Sequence, residues 1–94
     1  MLKGVLYSSR ITQDTAFDFY SDTQGKGVVH LSVKNIGKSP LLIDDAAQEI
    51  LQPNELFVIE SPVGIVSRMS LRFLAPNSEA EKLCIVRYIV PLNE

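Results

Sequence analysis

Tryptophan is absent from the 94 residues, and cysteine and histidine occur once each, at Cys84 and His30. A lone cysteine excludes an intrachain disulfide, and one cysteine with one histidine excludes the usual zinc ligand sets. Cys84 reads as a small hydrophobe within a strand and suits a reducing compartment. A nucleophile–base pair needs a histidine beside an activated serine, threonine or cysteine. His30 is the sole imidazole, and the residue alternation around it turns it away from the core. No G-x-S-x-G elbow is present. The spacing around Gly25-Lys26-Gly27 is not that of a phosphate-binding loop, so a hairpin turn is the simpler reading. Asp18, Asp22, Asp44, Asp45 and Glu49 lack the spacing of a calcium loop and read as solvated turn carboxylates. The chain is therefore expected to be no enzyme and to hold neither metal nor cofactor.

Charge of one sign is also scarce. Nine Lys and Arg stand against 11 Asp and Glu, for a formal net charge of −2. The basic residues are scattered, which disfavours a phosphate backbone as partner and predicts no nucleic-acid role. No apolar run approaches the roughly 18 residues that a spanning helix needs, so no membrane partner is expected. The opening MLKGVLYSSR carries a broken apolar stretch too short for the core of a secretion signal, which predicts no export signal.

What the chain does have is 46% hydrophobic residues, enough for one core, and turn residues at short, regular intervals. The breaks fall at Asp22-Thr23-Gln24-Gly25-Lys26-Gly27, Asn35-Ile36-Gly37-Lys38-Ser39-Pro40, Asp44-Asp45, Gln52-Pro53-Asn54, Ser61-Pro62 and Ala75-Pro76-Asn77-Ser78. Between them the period is two. Val29, Leu31 and Val33 alternate with His30, Ser32 and Lys34. Ile65, Met69, Leu71 and Phe73 oppose Arg68, Ser70 and Arg72, while Phe17 and Phe19 flank an outward Asp18. Such alternation marks half-buried antiparallel strands. The reading is seven or eight strands, near 2–7, 14–20, 27–35, 40–43, 48–51, 55–60, 64–75 and 82–91. Helix signals are weak: 44–51 reads as a turn into a short strand, and Ser78 with Glu81 matches a capping box with no helix behind it. The expected fold is all-β, a single antiparallel sandwich of jelly-roll or immunoglobulin-like type spanning 1–94.

The last strand departs from simple alternation. Leu83, Ile85 and Ile89 make one apolar set, and Cys84, Val86, Tyr88 and Val90 make the other. Two apolar faces mean either a central strand covered on both sides or an interface with another chain. On the second alternative, Leu83, Cys84, Val86, Tyr88 and Val90 are the candidate interface residues.

The run VKNIGKSPLLI at 33–43, followed by ILQPNELFVI at 50–59, resembles small virion β-sandwich proteins of tailed phages, of the head-fibre and decoration kind. There an Asn-x-Gly turn leads into one strand and a Leu-x-Pro-x-Glu-aromatic step into the next. A glycine is usual where Asn54 stands here. The resemblance implies a structural, non-enzymatic protein that self-associates and docks on a virion or scaffold protein, in the virion or the host cytoplasm. It also implies a homo-oligomer, with a trimer favoured over a dimer. The alternative is a ligand- or carbohydrate-binding sandwich module using the outer face of one sheet, with Tyr7, Tyr20, Tyr88 and the phenylalanines as the available aromatics.

Overall fold

The computed structural model describes residues 3–74 and 81–92, and within them every regular element is a strand. The strands are β1 (Gly4–Ile11), β2 (Thr15–Asp18), β3 (Val28–Asn35), β4 (Leu41–Asp44), β5 (Glu49–Leu51), β6 (Leu56–Ile65), β7 (Arg68–Phe73) and β8 (Cys84–Pro91). They form two four-stranded antiparallel sheets, ordered β1-β8-β3-β6 and β2-β7-β4-β5. The fold is all-β and sandwich-like.

Alternation decides which residues enter the space between the sheets. Leu31, Val33, Cys84 and Val86 point in from one sheet, and Phe17, Ile43, Met69, Leu71 and Phe73 from the other, in one buried cluster. Arg68 and Arg72 lie on the opposite face of β7 and pair with Asp18 (3.4 Å) and Asp44 (3.5 Å).

Two expectations need correction around β6. Val28 rather than Val29 is fully buried, and the ladder between β3 and β6 shifts register there. Val28 pairs with Ile65 and His30 with Glu60, so residues 61–64 stand against Val29 alone. This bulge breaks the period-two count and moves Val28 inward. It also explains why Ser61-Pro62 does not end the strand. Pro62 has no N–H to give, but it sits in the bulge of an edge strand. Consequently Ile65 closes β6 instead of opening β7. Gly27 and Gly64 meet back to back at this point: Gly27 has φ +79°, and a Cβ on it would lie 2.8 Å from the Gly64 carbonyl carbon.

The 44–51 segment is a turn followed by β5. Asp45 Oδ1 accepts the N–H groups of Ala47 (3.0 Å) and Gln48 (3.1 Å), so the carboxylate organises a turn rather than a helix. The turn expected at 75–78 and most of the 78–82 capping box lie outside the described residues.

The turn after β3 and the turn between β5 and β6 meet at Asn35, which is fully buried. Its Nδ2 donates to the carbonyls of Ser39 (2.9 Å) and Leu51 (3.0 Å), and its Oδ1 accepts the Gly37 N–H (3.2 Å). Its backbone N–H reaches the Glu55 carbonyl (3.1 Å), and its own carbonyl accepts from Asn54 (2.7 Å). Asn54 has φ +73°, a left-handed conformation that asparagine and glycine tolerate best. Gly37 lies against the incoming chain before β8: a Cβ there would be 2.6 Å from the Glu81 carbonyl oxygen.

Cys84 is wholly buried, and loss of hydration pushes its thiol up to about 11 from 9.0. The unfolded chain therefore loses this proton first as pH rises. The thiol's contribution is fully present below pH 9.0 and is lost as pH climbs towards about 11. At about 1.4 kcal/mol per pH unit, the loss should reach roughly 2–3 kcal/mol. Urea melts from pH 8 to 11 are expected to show this extra decline in the wild type and not in Cys84→Ala. The native thiol should stay unreactive towards disulfide reagents until the protein unfolds.

Candidate functional site

The five interface candidates on the last strand do not form an exposed surface. Cys84, Val86 and Val90 are buried in the chain's own core. Leu83 is half-buried, and its backbone carbonyl accepts the N–H groups of Ile36 (3.1 Å) and Gly37 (2.9 Å). Tyr88 is half-buried, edge-on to Phe17 (6.5 Å) and Phe19 (5.5 Å) and stacked on Tyr7 (5.3 Å). Burial raises the Tyr88 pKa first, with the charges of Asp22 and Tyr7 adding to it. The reason is topological. β8 lies between β1 and β3, so its inner face meets the other sheet and neither of its edges is free. Of the two alternatives for an apolar-faced strand, the central position holds. Its outer face carries Ile85 and Ile89, both half-buried, around an exposed Arg87 whose Nε donates to Ser8 Oγ (3.3 Å).

One exposed apolar surface lies one strand further out, on β1; another lies on the opposite edge, β6, where Leu56, Val58 and Val63 are open. Val5 is 39%, Leu6 62% and Tyr7 47% exposed. Val5 and Tyr7 pair with Val90 and Tyr88 and so share the inward face, yet they remain open. The second sheet has strands of only 4, 6, 4 and 3 residues, against 8, 8, 8 and 10 in the first, so it leaves the β1 margin uncovered.

Edge strands are usually blunted by shortness, proline, bulges or charge, because unpaired N–H and C=O groups template pairing with other chains. Among the described strands, β2 and β5 are short edges of 4 and 3 residues. The third edge, β6, has its bulge at 61–64, Pro62 within it and Glu60 beside it. The fourth, β1, uses none of these devices over most of its length. It runs in unbroken register with β8 for eight pairs, has no proline, and bears one charge, Arg10.

The direction of its free peptide groups follows from one hydrogen bond. The Leu92 N–H donates to the Lys3 carbonyl (2.9 Å). Backbone groups alternate sides along a strand, so Val5, Tyr7 and Ser9 face β8. Gly4, Leu6, Ser8 and Arg10 therefore turn their N–H and C=O groups to the open edge.

A second feature is an apolar cleft of about 410 Å³ between the sheets beside β6, lined by Phe19, Leu31, Phe57, Ile59, Ile65 and Met69 among others. Asp45 and Arg68 also line it. His30 lies near Glu60 (3.5 Å) and pairs across the ladder with Ile89, well along β8 from Cys84. Among the described residues, no three of His, Cys, Asp and Glu gather into a metal-binding group.

The signal for β1 in the sequence is weak but present: Val5, Leu6 and Tyr7 are consecutive large residues with no intervening charge. Nothing local says that their strand is an edge. Compared with known protein families, curated proteins and solved structures, the chain matches none.

Proposed function

We propose that this protein is a non-enzymatic structural component that self-associates through the open β1 edge and docks on another protein, as capsid decoration or head-fibre subunits of tailed phages do. The observation that carries the reading is the unprotected edge itself, with Val5, Leu6 and Tyr7 exposed along it. A chain that leaves such an edge open tends to aggregate, and pairing it with a defined partner removes that hazard. A jelly-roll connectivity is part of the same proposal. The orders β1-β8-β3-β6 and β2-β7-β4-β5 are what results when a long hairpin pairing first strand with last is rolled up. They differ from the three-plus-four immunoglobulin arrangement. Jelly rolls recur in viral capsid domains, an argument from fold analogy alone. The partners on this reading are the chain itself and a virion or scaffold protein, in the virion or the host cytoplasm.

Light scattering after size-exclusion chromatography at micromolar concentration tests self-association. The expected mass is a multiple of 10.4 kDa. Leu6→Lys, which places a charge on the open edge, should return the chain to a monomer with an unchanged circular dichroism spectrum. A wild-type mass of one chain at every concentration would remove the reading.

The ligand-binding alternative has one observation in its favour, the apolar cleft beside β6. It suits a small apolar molecule better than a sugar. The outer face of the larger sheet presents Leu6, Arg87, Ser32 and Val58 but no Phe or Tyr as a stacking platform. A small apolar compound that shifts the methyl resonances of Met69 and Ile59 without changing the mass would favour it.

A further inference from the structure

Resting on that reading, we infer that the partner at the open edge is a second copy of this chain, joined antiparallel about a two-fold axis through Leu6. Only an even register keeps paired residues on a common face, because opposite residues of antiparallel strands point the same way. Four two-fold registers centre on the exposed residues 5–8 of β1, and the one centred on Val5 sets Leu6 against the partner's Gly4 and Tyr7 against the partner's Lys3. Centred on Ser8, the pairing sets Leu6 against the partner's Arg10 and buries an apolar side chain against a charge. Centred on Tyr7, it sets Leu6 and Val5 against the partner's Ser8 and Ser9. Centred on Leu6, it sets Leu6 on its own copy and Val5 on the partner's Tyr7, twice, so the three exposed apolar residues meet only one another.

Charge points the same way. Arg10 is the only charge in β1, and in the Leu6 register the two copies of it lie at opposite ends of the joint, about 27 Å apart at roughly 3.4 Å per residue. The backbone fits as well. The Leu6 N–H and C=O face the open edge, so Leu6 and its copy exchange both hydrogen bonds, with Cα atoms about 5.5 Å apart. The two larger sheets then continue as one, β6-β3-β8-β1 followed by the same strands reversed. Such a joint is isologous and closes at two subunits, unlike the trimer that the phage resemblance implies.

Single cysteines placed along β1 test this, with the buried Cys84 left in place. Air oxidation of Leu6→Cys should give a disulfide-linked dimer, because a Cα separation near 5.5 Å lies within disulfide geometry. Ser8→Cys should link at least about tenfold more slowly, since its copies would stand about 14 Å apart along the strand. Faster linkage at Ser8→Cys or Tyr7→Cys would overturn this register while leaving self-association in place. An oligomer by light scattering in which none of the three links would place the contact elsewhere and overturn the pairing. A single-chain mass at every concentration would sink the pairing and the assembly reading together.

Discussion

Asn35→Leu is expected to lower stability by about 2–6 kcal/mol, although it replaces a polar residue by an apolar one in a fully buried position. The amide satisfies three backbone groups: the carbonyls of Ser39 and Leu51 and the N–H of Gly37. Leucine fills the space and leaves both carbonyls without that donor, while the Gly37 N–H keeps its bond to the Leu83 carbonyl (2.9 Å). A buried backbone group left without a partner costs about 1–3 kcal/mol, and total stability for a domain of this size is about 5–15 kcal/mol. The variant should populate the unfolded state visibly in urea at concentrations where the wild type is native. Asn35→Asp separates hydrogen bonding from packing. A carboxylate facing two carbonyls is repelled, so the folded state favours the protonated acid and raises its pKa. Relative to wild type at the same pH, Asn35→Asp should regain stability as pH falls and lose it as pH rises through that raised value. A cost below about 1 kcal/mol for Asn35→Leu would mean that water replaces the amide and that the two turns are not held through it.

Leu71→Asp should unfold the protein outright, whereas Arg68→Glu combined with Arg72→Glu should leave it folded. Leu71 is fully buried in β7, between β2 and β4, and pairs across the ladder with Thr15 and Ile43. An aspartate there leaves a void and a charge without a partner, a penalty of several kcal/mol on top of the lost burial. The two arginines lie on the other face of the same strand. Their side chains are 84% and 56% exposed, and their ion pairs with Asp18 and Asp44 are of the surface kind, worth up to about 1 kcal/mol each. Charge reversal adds repulsion from those carboxylates, which solvent screens. The double variant should melt with an intact cooperative transition, lowered by about 4–8 °C for each kcal/mol lost. Equal behaviour of the two sets in thermal melts would show that the assignment of faces on β7 is wrong.

The faces of β7 are legible in the amino-acid sequence because Met69, Leu71 and Phe73 are separated by one residue each, and pleating sends alternate side chains to opposite sides. The same holds for Phe17 and Phe19 and for Leu31 and Val33. Val28 escapes that count, since a bulge depends on how many residues the neighbouring strand inserts, here 61–64, far away in sequence. Asn35 is legible as a turn residue and no more. Its side-chain role needs the Leu51 carbonyl, brought to it from the end of β5.

The amino-acid sequence by itself determined that this chain makes short antiparallel strands, where most of them begin and end, and which side of each is apolar. These are local matters, settled by pleat geometry and by the turn chemistry of glycine, proline, asparagine and aspartate. Only the tertiary structure decided which strands are central and which are edges. The pairing of Gly4 with Pro91 and of Ile11 with Cys84 covers one edge of β8 and leaves β1 outermost. That put Cys84, Val86 and Val90 in the core and left Val5, Leu6 and Tyr7 exposed on one edge of the sheet, with Leu56, Val58 and Val63 exposed on the other. Exposure is a property of what lies alongside a strand, and partners eighty residues away leave no period in the strand's own sequence.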